Sequence, residues 1–285
     1  MALPIQKIPI LVIHLILQNM RFLDIFLLTR TSTKMKRIVQ IMNTTPKQNL
    51  SKKTNLTGAV DTYWKDTKAG CIKLCNELVE VFRTPVKGVT LDLDEIENYR
   101  NEIRWINSTF PALTIFTIKG KCSFQDYMWM IRNSRATEAL YFEMKPTRYP
   151  DNMENLEVDF SKLETLVIDH GRWVSLQQLQ AVNASYISIK DADLTDFEIN
   201  AFLRSLESSG EKPKFEELHI FFYDEADADI ILEGLNFEDG DDSKQENIFG
   251  DIVFKTGSGQ KCTISYSEFD DEGVALYGFE IRIKD

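Results

Sequence analysis

Val89-Thr90-Leu91-Asp92-Leu93-Asp94 alternates apolar and polar residues without a break. A period of two sends successive side chains to opposite faces of an extended chain, so one face of this run belongs to a core and the other to water. Short runs of similar character recur at 113–118, 140–142, 166–168, 186–189 and 218–222. Helical stripes occupy most of the gaps between them: Ile96, Tyr99, Ile103 and Ile106; Phe124, Tyr127, Met128 and Ile131; Leu194, Phe197, Phe202, Leu203 and Leu206; then Ile230, Ile231 and Leu235. A strand followed by a helix that folds back on it, repeated, stacks parallel strands.

The runs are spaced about 20 to 32 residues apart, an irregular period that falls largely in the leucine-rich-repeat range. The expectation for 61–285 is an α/β body, a degenerate leucine-rich-repeat-like solenoid. An ordinary open α/β sheet is the alternative, because the asparagine ladder of regular repeats is missing. At the C-terminal end the pattern changes. Asp251 to Thr256, the turn Gly257-Ser258-Gly259, Lys261 to Tyr266, the acidic loop Asp270-Asp271-Glu272-Gly273 and Val274 to Ile283 predict an antiparallel β meander that closes the array.

The 285 residues carry 33 Lys+Arg against 44 Asp+Glu, a net charge of -11, with 43% apolar residues. That composition excludes wholesale disorder, a collagen-like repeat and a disulfide-dense scaffold. It also argues against nucleic acid as a partner, since phosphate neutralisation needs a basic surface. The charge is unevenly spread: residues 1–55 hold nine Lys+Arg against Asp24 alone, leaving +8 there and -19 on the rest. Asn43 to Gly58 is polar and basic with no sustained period, which predicts a linker over 44–60.

Upstream of it, Ile8 to Leu17 is mostly apolar but is interrupted by Pro9 and His14 and lacks a small-residue cleavage site, so it does not read as a secretory signal. It is also too short to cross a membrane. Leu11, Val12, Leu15, Ile16 and Met20 return at spacings of three and four; Phe22, Ile25, Phe26 and Leu28 follow, then Met35, Ile38, Val39 and Met42. Read as helices, these are three short pieces with more apolar surface than they can hide among themselves.

The run Ile8-Pro9-Ile10-Leu11-Val12 through Ile16-Leu17-Gln18-Asn19-Met20, with Phe26-Leu27-Leu28 and Lys36-Arg37-Ile38, resembles a nematode-type F-box over 4–43. The resemblance implies short all-α helices that dock on the adaptor subunit of an SCF ubiquitin ligase and, through it, on a cullin. It also implies that Ile8, Pro9, Leu11, Ile16, Met20, Ile25 and Leu28 are the apolar anchors. Arg21-Phe22 replaces the family's acidic residue and proline, and Ser32 stands where a cysteine is often found. A simple N-terminal cap of one large domain is the alternative reading.

Leu194-Thr195, Asn200-Ala201-Phe202-Leu203, Gly210, Pro213 and Phe215-Glu216-Glu217-Leu218-His219-Ile220 are similar to the F-box associated domain of type 2, with Leu206 where that family commonly has tryptophan. Together the two resemblances imply a substrate-recruiting subunit. An interaction scaffold with no role in ubiquitination is the alternative.

No catalytic set assembles from the sequence. Thr256-Gly257-Ser258-Gly259-Gln260-Lys261 lacks the ending and the helix of a phosphate loop. Asp239-Gly240-Asp241-Asp242 lacks the spacing of a calcium loop. His14 and His219 sit inside apolar runs, and His170, beside Asp169, has no nucleophile motif near it. The expectation is therefore a protein that is not an enzyme and needs no metal or cofactor. Four scattered cysteines, Cys71 and Cys75 among them on one apolar helical face, suit a reducing compartment, the cytoplasm and/or the nucleus. If the strands line a concave face, their outward residues include Asp92, Asp94, Glu217 and His219, of which Asp92, Asp94 and Glu217 are the expected target-binding residues, and the acidic body favours a basic target.

Overall fold

The computed structural model describes residues 10–17, 20–28, 38–42, 86–96, 98–150, 158, 160, 163–239, 247–271 and 274–284. The linker expected at 44–60, Cys71, Cys75, Ile8 and Pro9 lie outside the described residues, as do 240–246 after Asp239 and Glu272-Gly273 of the acidic loop. Two compact units divide the chain, Met1–Thr147 and Arg148–Asp285.

In the first unit, β1 (Ile10–Leu17), β2 (Met20–Leu28) and β3 (Ile38–Met42) are followed by β4 (Gly88–Asp92), α1 (Tyr99–Thr109), β5 (Ile115–Cys122), α2 (Phe124–Asn133) and β6 (Ala139–Pro146). The strand order is β6-β5-β4-β1-β2-β3. The pairs β4 with β5 and β5 with β6 are parallel, whereas β1 runs antiparallel to both β4 and β2, and β2 to β3. Alternation decides which side of each strand is dry. Val89, Leu91, Phe116, Ile118 and Phe142 are fully buried, as are Ile103 and Ile106 of α1 and Tyr127 and Met130 of α2. Each such side chain contributes about 1.5–3 kcal/mol by leaving water.

Local chemistry fixes the connections. Asp92 ends β4 by accepting a hydrogen bond from the Asp94 backbone N–H. At Gly120 the backbone has φ +103, and a Cβ there would lie 3.0 Å from the Asp94 nitrogen, so only glycine fits. Ser123 caps α2 by accepting from the Asp126 N–H. Asp126 then ties α1 to α2: its carboxylate accepts from Tyr99 Oη at 2.6 Å, Arg100 Nε at 2.8 Å and Ser123 Oγ at 2.7 Å.

The second unit repeats the plan with a different edge. Its elements are β7 (Leu163–Ile168), α3 (Leu176–Ala181), β8 (Ala184–Ile189), α4 (Asp196–Ser208), β9 (Glu217–Phe222), α5 (Ala228–Leu232), β10 (Glu238–Asp239), β11 (Asn247–Lys255), β12 (Lys261–Asp271) and β13 (Val274–Lys284). The order is β7-β8-β9-β13-β12-β11-β10, parallel as far as β9 and antiparallel beyond it. Capping boxes start α3 (Ser175 with Gln178) and α4 (Thr195 with Glu198), each satisfying otherwise orphaned N–H groups. Ile199, Phe202, Leu203 and Leu206 give α4 its buried stripe, and Leu218, Ile220, Tyr266, Phe279 and Ile281 supply the sheet's dry face.

Two expectations are corrected here. The apolar N-terminal segments form β1, β2 and β3 and not the short all-α helices expected of an F-box. Leu11 and Ile16 lie on β1, with Leu11 in register with Leu91 of β4, and Met20, Ile25 and Leu28 lie on β2. Short runs of Ile, Leu, Val and Phe satisfy either period, and the β-branched Ile10, Val12, Ile13 and Ile16 lose less in an extended chain.

The repeat-like solenoid is also overturned. Only three consecutive strands run parallel in each unit before antiparallel neighbours take over, which gives mixed sheets with few helices. The C-terminal meander is present as β11, β12 and β13, and β11 and β12 are joined by the turn at Gly257-Ser258-Gly259. No described helix is long and apolar enough to cross a membrane.

Candidate functional site

Among the described residues, each sheet has one face of core side chains and an opposite, more open one; the registers show what lines the latter, where Ser188 and Ser265 are nonetheless buried. In the second unit Tyr186, Glu217, Arg282 and Thr263 form one row across β8, β9, β13 and β12. Ser188, His219, Glu280 and Ser265 form the next row. Phe221, Gly278 and Ser267 form a third.

Polar and aromatic contacts lock these rows together. His219 Nε2 lies 2.9 Å from Glu217 Oε1, Arg282 Nε donates to the same oxygen at 3.5 Å, and the Arg282 guanidinium is also ion-paired with Glu280. Burial pushes the Glu217 carboxyl up, but the His219 hydrogen bond and the nearby Arg282 charge outweigh it and hold the group below its usual range. Ring centroids then run from Tyr186 to His219 at 5.3 Å, His219 to Phe221 at 6.1 Å and Phe221 to Phe269 at 5.9 Å. Phe269 remains 48% exposed. Gly278 is what lets the strip close, since a Cβ there would lie 2.5 Å from the Phe269 ring and 3.0 Å from that of Phe221.

The first unit's open face is of another kind. Thr90, Thr117 and Tyr141 share one row and Asp92, Lys119 and Glu143 the next. Asp92 Oδ2 pairs with Lys119 Nζ at 3.3 Å, while Asp94 Oδ1 accepts from the Lys121 N–H at 3.0 Å. Of the residues expected to bind a target, Asp92 and Asp94 therefore share one turn of this unit, and Glu217 lies in the aromatic and ionic patch of the other.

Sequence reasoning placed Glu217 and His219 on one strand face but missed Tyr186, Phe221, Phe269, Glu280 and Arg282 as their neighbours. The alternation in Leu218-His219-Ile220-Phe221 was the available signal for Phe221.

His170 sits elsewhere, just past β7. Its Nδ1 is 3.4 Å from Asp191 Oδ2, while Arg172 Nε donates to Asp191 Oδ1 at 2.9 Å and the guanidinium lies 5.5 Å from the Tyr149 ring. Asp191 has φ +54 just after β8 and is buried. Burial raises its pKa, but hydrogen bonds from His170 and Arg172 bring it below the ordinary carboxylate value. This cluster clamps the ends of two parallel strands. A groove of about 270 Å³ runs along α3 and α4, with Leu179, Val182, Phe202, Leu206, Pro213 and Phe215 in its lining. Cys122 and Cys262 are free and buried, and burial pushes both thiols up to about 12.

Residues 152–220, about a quarter of the chain, match the protein family described as F-box associated. The matched stretch contains β7, α3, β8 and α4 and most of β9, and with them Tyr186, Glu217 and His219. No curated protein and no solved structure matches the chain.

Proposed function

We propose that the chain recognises a target protein through the open sheet face of its second unit, as the recruiting subunit of an SCF-type ubiquitin ligase. The observation that carries this reading is an overlap. The F-box associated match supplies the strands that carry Tyr186, Glu217 and His219, half-buried on the face opposite the core side chains. F-box associated domains are linked to substrate recognition in F-box proteins. A face that combines three half-buried rings and the exposed Phe269 with a small ionic cluster has the residue types that dominate protein interfaces. Catalysis would be by proximity, with the conjugating chemistry done by another subunit.

The nematode type, the adaptor contact and the cullin behind it belong to this proposal through the N-terminal resemblance, and so does a setting in the cytoplasm or nucleus. One observation favours a second reading. The described N-terminal segments are strands, so among the described residues the helical geometry on which adaptor docking rests is missing, and an interaction scaffold without a ligase role fits that geometry. Co-expression of the full chain with the adaptor separates the two readings. Co-purification that is lost on deleting residues 1–43 supports the ligase reading. Absent binding, or binding that survives the deletion, rejects it.

A further inference from the structure

We infer that Glu217, His219 and Glu280 form a binding site for a divalent transition metal, Zn(II) being the best fit. One nitrogen and two carboxylate groups offer donor atoms that all lie within 4.8 Å of one another. Donors about 2.0–2.2 Å from a tetrahedral zinc sit roughly 3.3–3.5 Å apart, so small side-chain rotations bring this set into place. The mixture of imidazole and carboxylate suits zinc better than calcium or magnesium, which prefer oxygen alone.

The backbone holds the three residues as a unit. His219 and Glu280 face one another across the β9–β13 ladder, and Glu217 stands two residues before His219 on the same side of β9. The imidazole is flanked by the rings of Tyr186 and Phe221, which limit its rotation. Three protein ligands leave a fourth position for water or for a donor from another molecule, the arrangement of an open zinc site.

A second observation bears on charge. Arg282 already brings a cation to both carboxylates, hydrogen-bonding Glu217 and ion-pairing with Glu280. Two carboxylates held this close call for a positive charge beside them, and the guanidinium supplies it. Its side chain is 39% exposed, so it can turn into solvent when a metal ion takes its place. Arg282 and zinc are therefore competitors for the same two oxygens.

That competition gives the test a signature that an adventitious surface site does not share. Titration of the full-length chain with ZnCl2 by calorimetry, and with CoCl2 by visible absorption, should show one site per chain. Arg282→Ala should tighten binding by about tenfold, because the internal cation is gone. His219→Ala and Glu280→Gln should each weaken it by at least about tenfold. Glu217→Gln keeps the shape of the patch and should have the same direction of effect. Variants are compared only where circular dichroism matches the wild type. The inference is overturned if neither wild type nor Arg282→Ala binds zinc, or if binding persists unchanged in His219→Ala and Glu280→Gln. The readout is the metal alone, so it stands or falls separately from target recognition.

Discussion

The two units share a plan and differ on one surface. Each has three parallel strands in chain order, helices over one face and antiparallel strands beyond the parallel run. On the first unit's open face an ion pair, Asp92 with Lys119, stands next to a row of Thr90, Thr117 and Tyr141. On the second unit's open face Tyr186, His219, Phe221 and Phe269 are in ring contact beside an ionic knot. Phe269, at the end of this strip, is an exposed ring of the kind that interfaces cover. Under the proposed function, recognition falls to the second unit and support to the first.

The largest effects should be symmetric and come from the covered faces. Phe116 in the first unit and Phe279 in the second are both 0% exposed. Phe116→Ala and Phe279→Ala should each cost about 3–5 kcal/mol in urea unfolding. If the two units unfold separately, each substitution shifts its own transition. Equal shifts of both transitions by either one would show a single cooperative body and break the comparison.

A smaller and one-sided effect is expected at Gly278. Gly278→Ala places a methyl against Phe269 and Phe221, so it should cost about 1–3 kcal/mol and displace the ring strip. Near-ultraviolet circular dichroism should report the displaced rings. An unchanged spectrum would mean that the strip tolerates the methyl and that its packing is looser than described.

Acid should separate the units more gently. Asp191 and Glu217 in the second unit and Asp126 in the first have folded-state pKa values below the ordinary carboxylate range. A lowered pKa stabilises the fold above the unfolded value, about 4, and that contribution is lost as pH falls through the folded value. Stability should therefore be flat from neutral to about pH 5 and fall below about pH 4, more steeply for the second unit. Asp191→Asn should reduce that slope, and an unaltered slope would remove Asp191 from the account.

The smallest effect belongs to the first unit's open face. The Asp92–Lys119 pair is partly exposed, so Lys119→Ala should change stability by no more than about 1 kcal/mol.

Much of this molecule could be read in its sequence where one period prevailed. The alternation in Val89 to Asp92 gave β4, and the stripes through Ile103 and Ile106 and through Ile199, Phe202 and Leu206 gave α1 and α4. The N-terminal run from Ile10 was misread because nearly every position is apolar, which leaves no phase to tell helix from strand. The solenoid was inferred from spacing, but spacing does not reveal whether the next neighbour is parallel or antiparallel.

For the site, the sequence could place Glu217 and His219 on one face because they stand two apart on a strand. It could not supply Glu280 or Arg282. These meet their partners only through the β9–β13 register, across about sixty residues of intervening chain.

The most direct test of the central claim is target capture by paired variants, using a target that the full-length chain retains in cells. Tyr186→Ala, Glu217→Gln and Phe221→Ala combined should reduce capture by at least about tenfold, as removal of an interface centre does. Asp92→Asn and Asp94→Asn combined should leave capture within about twofold, since both carboxylates are engaged in their own turn. With unfolding midpoints matched to wild type, loss of capture in the Asp92 and Asp94 pair alone, or in neither set, would contradict the assignment of recognition to the second unit.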